Sequence, residues 1–283
     1  MVTQHQQTPK DHWSSKAYTA AASFVPRLTS TVLSYLSPQP GDRILDIGCG
    51  DGPLTAQIAQ TTSPGQVLGL DASPSFISTA QQEHSLPNCS FRVQDCTKLS
   101  ECADVVDGSW DKVFSNAALH WILWDEKTRM AVLRDVHAAL KPGGVFVFEQ
   151  GGKGNVAEIV AALIAALVAH GVPISRAREV NPWFFPSENW MRAALGEAGF
   201  EVEKVELEYR PTRCTERTES GDGGLEGWVK FMGAQFLDAV EEGRRDSVVE
   251  SVCETLESIL TREEDGSVWI GYVRLRAIAW KRR

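Results

Sequence analysis

The segment Ile44–Pro53 limits the possible folds of this chain more than any other part of the sequence. It reads Ile-Leu-Asp-Ile-Gly-Cys-Gly-Asp-Gly-Pro, a short apolar run followed by glycines at alternate positions 48, 50 and 52. Glycine adopts the left-handed backbone conformations of tight turns and lets main-chain amides approach a ligand closely. Leu54, Ile58 and Ala59 follow at the spacing of one helical face. The segment therefore predicts a buried strand, a glycine turn and the beginning of a helix.

Two residues restrict the ligand that this glycine turn can hold. Pro53 stands where the dinucleotide fingerprint G-x-G-x-x-G needs its third glycine, so the turn does not match a NAD site. Asp46, at the end of the strand, would repel a phosphate and attract an ammonium group. S-adenosylmethionine, which carries an ammonium and a sulfonium group, fits these demands. A nicotinamide-dependent oxidoreductase is the weakest of the hypotheses that we considered.

Composition excludes several other classes of protein. The 283 residues can form one large α/β domain, or one domain with a substantial insertion. The net charge of −9 argues against nucleic acid or an anionic membrane as a partner. The six cysteines form no C-x-x-C pair and have no histidine at metal-ligand spacing, so we expect reduced thiols and no metal site. The polar N-terminus and the charged residues that interrupt the longest apolar stretch predict a soluble, cytoplasmic protein.

Alternating apolar strands and helices predict a doubly wound parallel sheet. Five strands are expected over 43–47, 66–70, 90–93, 111–116 and 145–149, with a turn at 141–144 before the fifth. Segments 200–209 and 267–280 also have strand character. Helices are expected over 155–170, 187–198, 225–240 and 246–260, with loops over 173–186 and 211–224.

Polar side chains stand at the ends of the five expected parallel strands, where such sheets bind ligands. They are Asp46, Asp71, Asp95, Asn116 and Glu149 or Gln150. Asp71 lies 19 residues beyond Gly52, the spacing of an acidic residue that bridges ribose hydroxyls. Asp95 is placed for an adenine amino group, the Cys96 N–H for a ring nitrogen, and Phe76 for the face of the adenine.

Several of these segments together resemble the successive motifs of the class I S-adenosylmethionine-dependent methyltransferases. They are Ile44–Gly52, Val67–Asp71, Asp95 and Lys141–Gly144. A further resemblance, to the trans-aconitate methyltransferase group, rests on Gly69–Pro74 and Phe114–Trp121 and extends over most of the chain from Trp13 onward. It implies an enzyme that transfers a methyl group from S-adenosylmethionine to a small-molecule acceptor, on a carboxylate or hydroxyl oxygen.

The resemblance also implies the architecture. We expect an α/β fold with a doubly wound, seven-stranded, mostly parallel sheet of the Rossmann-like methyltransferase type. Residues 1–12 would be a disordered tail and residues 13–40 an N-terminal helical cover. Residues 41–283 would form the methyltransferase domain, in which 210–266 are a helical insertion before the last strand that forms part of the acceptor pocket.

The same resemblance assigns the cofactor site. The expected cofactor-binding residues are Asp46, Gly48, Cys49, Gly50, Asp71, Ala72, Phe76, Asp95, Cys96 and Asn116. The amino-acid end of the cofactor would lie along the glycine turn, the ribose at Asp71 and the adenine at Asp95. Asp51 departs from the pattern, because many relatives carry a neutral residue there, and we expect its charge to tune affinity.

The acceptor pocket is expected to be aromatic. Its predicted residues are Trp13, Tyr18, His120, Trp121, Trp183, Phe184 and Trp228. This composition favours an apolar or aromatic acceptor, whereas a polycarboxylate would need arginines, for which Arg176, Arg178 and Arg213 are the candidates. His120 is the best-placed catalytic base and Tyr18 the second candidate; packing of His120 against tryptophans is an equally open interpretation.

Two other hypotheses share the cofactor motifs. A cyclase or isomerase could bind the cofactor without transferring its methyl group. The second hypothesis is a binding protein with a vestigial site. The intact glycine turn together with Asp71 and Asp95 argues against it. The sequence leaves the acceptor and the oligomeric state open.

Overall fold

A computed structural model describes residues 29–217 and 223–283. The tail expected at 1–12 and residues 13–28 of the expected helical cover lie outside the described residues. The described part of that cover contains one short helix, α1 (Ser30–Leu36).

Within residues 29–217 and 223–283, seven strands and ten further α-helices follow in chain order. The strands are β1 (Arg43–Ile47), β2 (Gln66–Asp71), β3 (Cys89–Val93), β4 (Trp110–Asn116), β5 (Leu140–Gly151), β6 (Phe200–Arg213) and β7 (Trp269–Lys281). The helices are α2 (Pro53–Thr62), α3 (Pro74–Glu83), α4 (Leu119–Ile122), α5 (Arg129–Ala139), α6 (Ala157–Ala169), α7 (Ile174–Glu179), α8 (Glu188–Glu197), α9 (Gly224–Met232), α10 (Ala234–Leu237) and α11 (Arg245–Leu260). Short 3₁₀ segments occur at Cys96–Glu101 and Glu242–Arg244.

The strands form one mixed sheet in the order β3-β2-β1-β4-β5-β7-β6. Strands β1 to β5 are parallel, and β7 pairs antiparallel with both β5 and β6. This confirms the predicted seven-stranded, mostly parallel, doubly wound sheet. The strand order reverses between β1 and β4, and the crevice outside the carboxyl ends at such a reversal is where open α/β sheets bind ligands.

Both faces of the central strands are buried. Leu45 and Ile47 of β1 pack in one apolar cluster, and Ile44 packs in a second cluster on the opposite face. Parallel strands covered on both faces are expected to be mostly apolar, and in β1 the charged residues are Arg43 at its start and Asp46 near its end. The polar residues that follow these strands are therefore collected at the carboxyl edge of the sheet.

A third apolar cluster lies beside this edge. Helices α6, α9, α10 and α11 contribute buried residues such as Leu163, Trp228, Phe236 and Val252, and the cluster also includes Trp183. It places aromatic side chains next to the strand ends.

The structure corrects several predicted boundaries. Residues 141–144, expected as a turn, belong to β5, which already pairs with β4 through Leu140 and Trp110. The loop expected over 173–186 contains α7. The helix expected over 225–240 ends at Met232, and Gly233 separates α9 from α10.

The insertion before the last strand begins later than predicted. Strand β6 continues to Arg213, so residues 210–213 belong to this strand rather than to the insertion. The reason is tertiary: β7 pairs along the whole length of β6, with Pro211 opposite Gly271. Because β6 is an edge strand, the missing amide of Pro211 is tolerated there.

Candidate active site

A cavity of about 310 Å³ opens at the carboxyl edge, over the strand-order reversal. Its walls come from the glycine turn, the ends of β2 and β4, the segment after β3, helix α4, the segment after β5, the loop before α8, helix α9 and strand β7. The predicted residues that line it are Asp46, Gly48, Cys49, Gly50, Asp71, Ala72, Phe76, Asp95, Cys96, Asn116, His120, Trp121, Trp183 and Trp228. The structure thus brings together all the expected cofactor residues and most of the expected acceptor residues.

The glycine turn is shaped for close approach of a ligand. Gly48, Gly50 and Gly52 have φ angles of 76°, 57° and 92°, in the left-handed region that favours glycine. A Cβ at Gly48 would lie 2.1 Å from the Ala118 Cβ, so that glycine is needed for packing. A Cβ at Gly50 would meet nothing within 4 Å. Since Gly50 lines the cavity, its open side can receive a ligand.

Asp71 fixes the position of this turn. One of its carboxylate oxygens accepts a hydrogen bond from the Gly50 N–H (3.0 Å), and the other accepts one from the Ser73 N–H (2.9 Å). The side chain therefore links the glycine turn to the beginning of α3. In this position Asp71 is half-buried and borders the cavity.

Asp46 is a buried carboxyl group at the base of the cavity. The Thr55 hydroxyl donates a 2.6 Å hydrogen bond to its Oδ2. Burial, with a smaller contribution from the nearby Asp71 charge, raises the pKa of Asp46 to about 7, while the Thr55 hydrogen bond acts in the opposite direction. A cation bound beside Asp46 would favour its ionised form.

The cavity has one half beside the glycine turn, and the segment after β3 forms the far end of that half. Asp95 is exposed, and its Oδ1 accepts hydrogen bonds from the Thr97 N–H (2.9 Å) and hydroxyl (2.6 Å). Cys96 and Phe76 are buried and border the same cavity. The carboxylate of Asp95 caps its own turn and still has lone pairs for a further donor.

These residues fit S-adenosylmethionine. The Oδ1 atom of Asn116 is buried and accepts no hydrogen bond from the described residues, so it can accept one from a ligand ammonium group. The open side of Gly50 leaves room along the turn, and the carboxylates of Asp46 and Asp71 match an ammonium and a pair of ribose hydroxyls.

The other half of the cavity is aromatic. Trp183 stands at its centre, with ring centroids 5.6 Å from Trp121, 5.8 Å from Phe185 and 6.2 Å from Trp228. The Trp228 indole N–H donates a 2.7 Å hydrogen bond to the Tyr272 hydroxyl. This half of the cavity has the aromatic composition predicted for an acceptor pocket, and Phe185 and Tyr272 line it as well.

His120 is buried between these aromatic rings. The Gly151 N–H donates to its Nδ1 at 3.4 Å, so the neutral ring carries its proton on Nε2. Burial, and to a lesser extent the Arg274 charge, lower the pKa of His120 to about 3. At neutral pH the imidazole is uncharged and very weakly basic, which disfavours the predicted role of general base and favours that of hydrogen-bond donor.

Arg274 of β7 is a charged residue of this site that was not predicted from the sequence. It borders the cavity with only 3% of its surface exposed, and its guanidinium lies 4.6 Å from the centre of the Tyr272 ring. Its Nε is 3.7 Å from a carboxylate oxygen of the buried Glu149. The sequence does contain a signal for this residue, because Arg274 and Arg276 are charged residues in an otherwise largely apolar strand.

The arginines predicted as candidates for binding a polycarboxylate lie away from the cavity. Arg176 and Arg213 are exposed and pair with Glu179 and Glu216, and Arg178 is exposed on α7. None of these three borders the cavity.

Phe184, predicted for the acceptor pocket, does not line the cavity. Its ring packs edge-on against Trp190, with centroids 4.7 Å apart, and beneath the Arg129 guanidinium. The next residue, Phe185, turns towards the cavity instead. Trp13 and Tyr18 lie outside the described residues, so their predicted roles are untested. Within the described ranges, no three His, Cys, Asp or Glu side chains are grouped to hold a metal ion, and no helix is long and apolar enough to cross a membrane.

Comparison with known proteins agrees with this geometry. A family model described as a methyltransferase domain matches residues 44–144. An uncharacterised methyltransferase of Schizosaccharomyces pombe is 36% identical over 273 residues, which cover 96% of this chain and 99% of that protein. A trans-aconitate 2-methyltransferase of Methylobacterium radiotolerans is 23% identical over 276 residues, which cover 95% and 98% of the two chains.

A solved structure shows the same fold. The S-adenosylmethionine-dependent methyltransferase of Anabaena variabilis aligns with a TM-score of 0.56 at 14% identity, covering 91% of this chain and 85% of that one.

Proposed function

The chain belongs to the S-adenosylmethionine-dependent methyltransferases, and within this family we propose that it methylates a carboxylate oxygen of a small organic acid. The observation that supports the proposal is the separation of charge along the cavity. The half beside the glycine turn is acidic, with Asp46, Asp71 and Asp95. The aromatic half contains Arg274, the one arginine or lysine among the described residues that line the cavity.

The acidic half suits the cofactor. Asp46 and Asn116 would hold the ammonium group, Asp71 the ribose hydroxyls, and Asp95 the adenine amino group. When bound, the cofactor supplies a methyl group that is already electrophilic because it is attached to a sulfonium. The protein therefore needs to position an acceptor rather than activate the methyl donor.

The aromatic half suits a carboxylate. The Arg274 guanidinium can donate hydrogen bonds to an acceptor carboxylate, and charge-assisted bonds of this kind are stronger than neutral ones. The Nε2–H of His120 is a second donor on the same wall. The Glu149 carboxylate, 3.7 Å from the Arg274 Nε, offsets part of the cost of burying the guanidinium. Two donors on one side would fix the carboxylate and present it to the methyl group.

The protonation state of His120 favours a carboxylate over a hydroxyl acceptor. A carboxylate is ionised at neutral pH and needs no base, whereas a hydroxyl oxygen must lose a proton during the transfer. With a pKa of about 3, His120 is a poor acceptor for that proton. The rings of Trp121, Trp183 and Phe185 would exclude water from the reacting atoms and strengthen the electrostatic contacts.

The named relatives are in agreement with this choice. The Methylobacterium radiotolerans protein is a trans-aconitate 2-methyltransferase, and trans-aconitate is a tricarboxylate. We infer that the acceptor here shares the carboxylate and carries an apolar portion that contacts the aromatic rings.

An Arg274→Met variant tests the proposal. Loss of a charge-assisted hydrogen bond costs about 1.5–3 kcal/mol, so we expect KM for the acid to rise roughly 10- to 100-fold. The cofactor affinity, measured by calorimetry, should be unchanged, which would also show that the variant is folded. Arg213→Met, at an exposed arginine that does not line the cavity, is the matched control and should leave both values unchanged. A wild-type KM in Arg274→Met would contradict the assigned anchor.

A further inference from the structure

The backbone around the cavity contains two residues in an unusual conformation. Among the described residues, Ser37, Ala117 and Val156 are the non-glycine residues in the left-handed region, and both Ala117 and Val156 line the cavity. Val156 has φ 46° and ψ 36° and immediately precedes α6. For a β-branched residue such a φ is an outlier, because its branched Cβ crowds the backbone.

Hydrogen bonds from neighbouring segments hold this conformation. The Val156 N–H donates to the Gly271 carbonyl of β7 at 3.0 Å. The Asn155 Oδ1 accepts from the Val273 N–H at 2.9 Å, and the Val160 N–H donates to the Val156 carbonyl at 3.0 Å. Strained residues persist where the surrounding structure determines them in this way, and they concentrate at functional sites.

Glycine would take this conformation without strain, so the valine side chain itself requires an explanation. It is 1% exposed and belongs to the same apolar cluster as Trp183, Trp228 and Tyr272, the rings of the acceptor half of the cavity. A β-branched side chain has few rotamers, and the fixed backbone leaves this one little freedom to move aside. Val156 therefore forms a rigid part of the acceptor wall.

We propose that Val156 determines acceptor specificity, its side chain limiting the size of the apolar portion that fits beside the anchored carboxylate. This inference rests on the proposed carboxylate acceptor. The strained backbone fixes the wall, and the isopropyl group sets how far the wall reaches into the cavity.

Acceptor selectivity of Val156→Ala and Val156→Gly tests this role. Methyl ester formation would be measured by mass spectrometry with aliphatic and aryl-substituted carboxylic acids of increasing size. Because one methylene in an apolar pocket changes discrimination by about 10-fold or more, the ratio of kcat/KM for larger over smaller acids should rise at least 10-fold, and more in Val156→Gly. Val252→Ala is the control, since Val252 is fully buried in the same cluster without lining the cavity, and its size profile should match the wild type.

A stability comparison tests the strain separately. In the interior of a helix, alanine stabilises more than glycine, so Val252→Gly should have a lower Tm than Val252→Ala. At Val156 this order should be reversed, because glycine relieves the left-handed strain and alanine does not. The strain argument would be overturned if Val156→Gly had a lower Tm than Val156→Ala and this difference were as large as that between Val252→Gly and Val252→Ala.

The outcomes distinguish this inference from the proposed function. If the wild type converts members of the acid panel but its size profile is unchanged in both Val156 variants, the specificity role is wrong and the proposed function stands. If the wild type forms no methyl ester from any acid, the proposed function is wrong and this inference falls with it.

Discussion

Asp46 shows how single residues prepare this site for a cation. Burial, with a smaller contribution from the Asp71 charge, raises the pKa of its carboxyl group to about 7, so the cofactor-free protein holds this group only partly ionised at neutral pH. The single hydrogen bond from Thr55 does not restore the ordinary value. An ammonium group beside Asp46 would supply the missing counter-charge.

Cofactor binding should therefore depend on pH. A bound ammonium favours ionised Asp46 and lowers its pKa, so binding is linked to loss of a proton from the free protein below about pH 7. The affinity for the cofactor should therefore fall as the pH falls, by about tenfold between pH 8 and pH 6. Calorimetric titration with S-adenosylmethionine at both pH values measures this. Asp46→Asn should bind more weakly at pH 8 and lose most of the dependence; an unchanged dependence in that variant would rule Asp46 out as its source.

His120 should behave as a donor and not as a base. Its pKa of about 3 places its titration far below the working range, so at saturating cofactor the wild-type rate should show no ionisation of His120 between pH 6 and 8. His120→Asn, which loses the Nε2–H donor, should lower kcat/KM for the acid by about tenfold, in keeping with one lost hydrogen bond. Its pH–rate profile should keep the wild-type shape. A profile that loses a basic limb in the variant would restore His120 as a general base.

At the scale of secondary structure elements, the end of β5 organises the aromatic half of the cavity. The Glu149 carbonyl accepts a hydrogen bond from the Ala117 N–H at 2.8 Å, and the Gly151 N–H donates to His120. Antiparallel β7 then places Arg274 directly opposite Gly151. The first half of β7 thus reaches the same edge as the ends of the parallel strands, which is how a residue so late in the chain enters the site.

The glycine turn offers a prediction in which two similar substitutions differ. Gly50→Ala places a Cβ in the open side of the turn, so it should block the cofactor while costing only about 1–2 kcal/mol of stability for the left-handed backbone. Gly48→Ala brings a Cβ against Ala118 and should destabilise more, by about 2–4 kcal/mol. Urea unfolding and calorimetric cofactor binding measure the two effects. Equal losses of stability in the two variants would contradict the assigned packing.

At the scale of the whole molecule, the sequence predicts the cofactor half of the site much better than the acceptor half. Asp46, Asp71 and Asp95 end parallel strands, and parallel order alone brings such ends to one edge. Arg274 depends on the antiparallel insertion of β7 between β5 and β6, which strand periodicity does not specify. Phe184 and Phe185 are adjacent and chemically alike, so the choice between them required the path of the loop.

The same distinction applies to the fold. Strands β1 to β4 match the predicted bounds within one residue, because apolar runs and polar ends mark them locally, whereas β5 begins five residues before its predicted start. The continuation of β6 through Pro211 follows from its pairing with β7. Local patterns in the sequence do not carry that information.

The position of the transferred methyl group tests the central claim most directly. The wild-type protein would be incubated with S-adenosylmethionine labelled with ¹³C in the methyl group and with a panel of small carboxylic acids. We predict a product heavier by one labelled methyl group that releases ¹³C-methanol on alkaline hydrolysis, as a methyl ester does. A label that resists alkali would place the methyl group on another atom, and a product of unchanged mass would indicate cyclisation or isomerisation; either result would contradict carboxylate methylation.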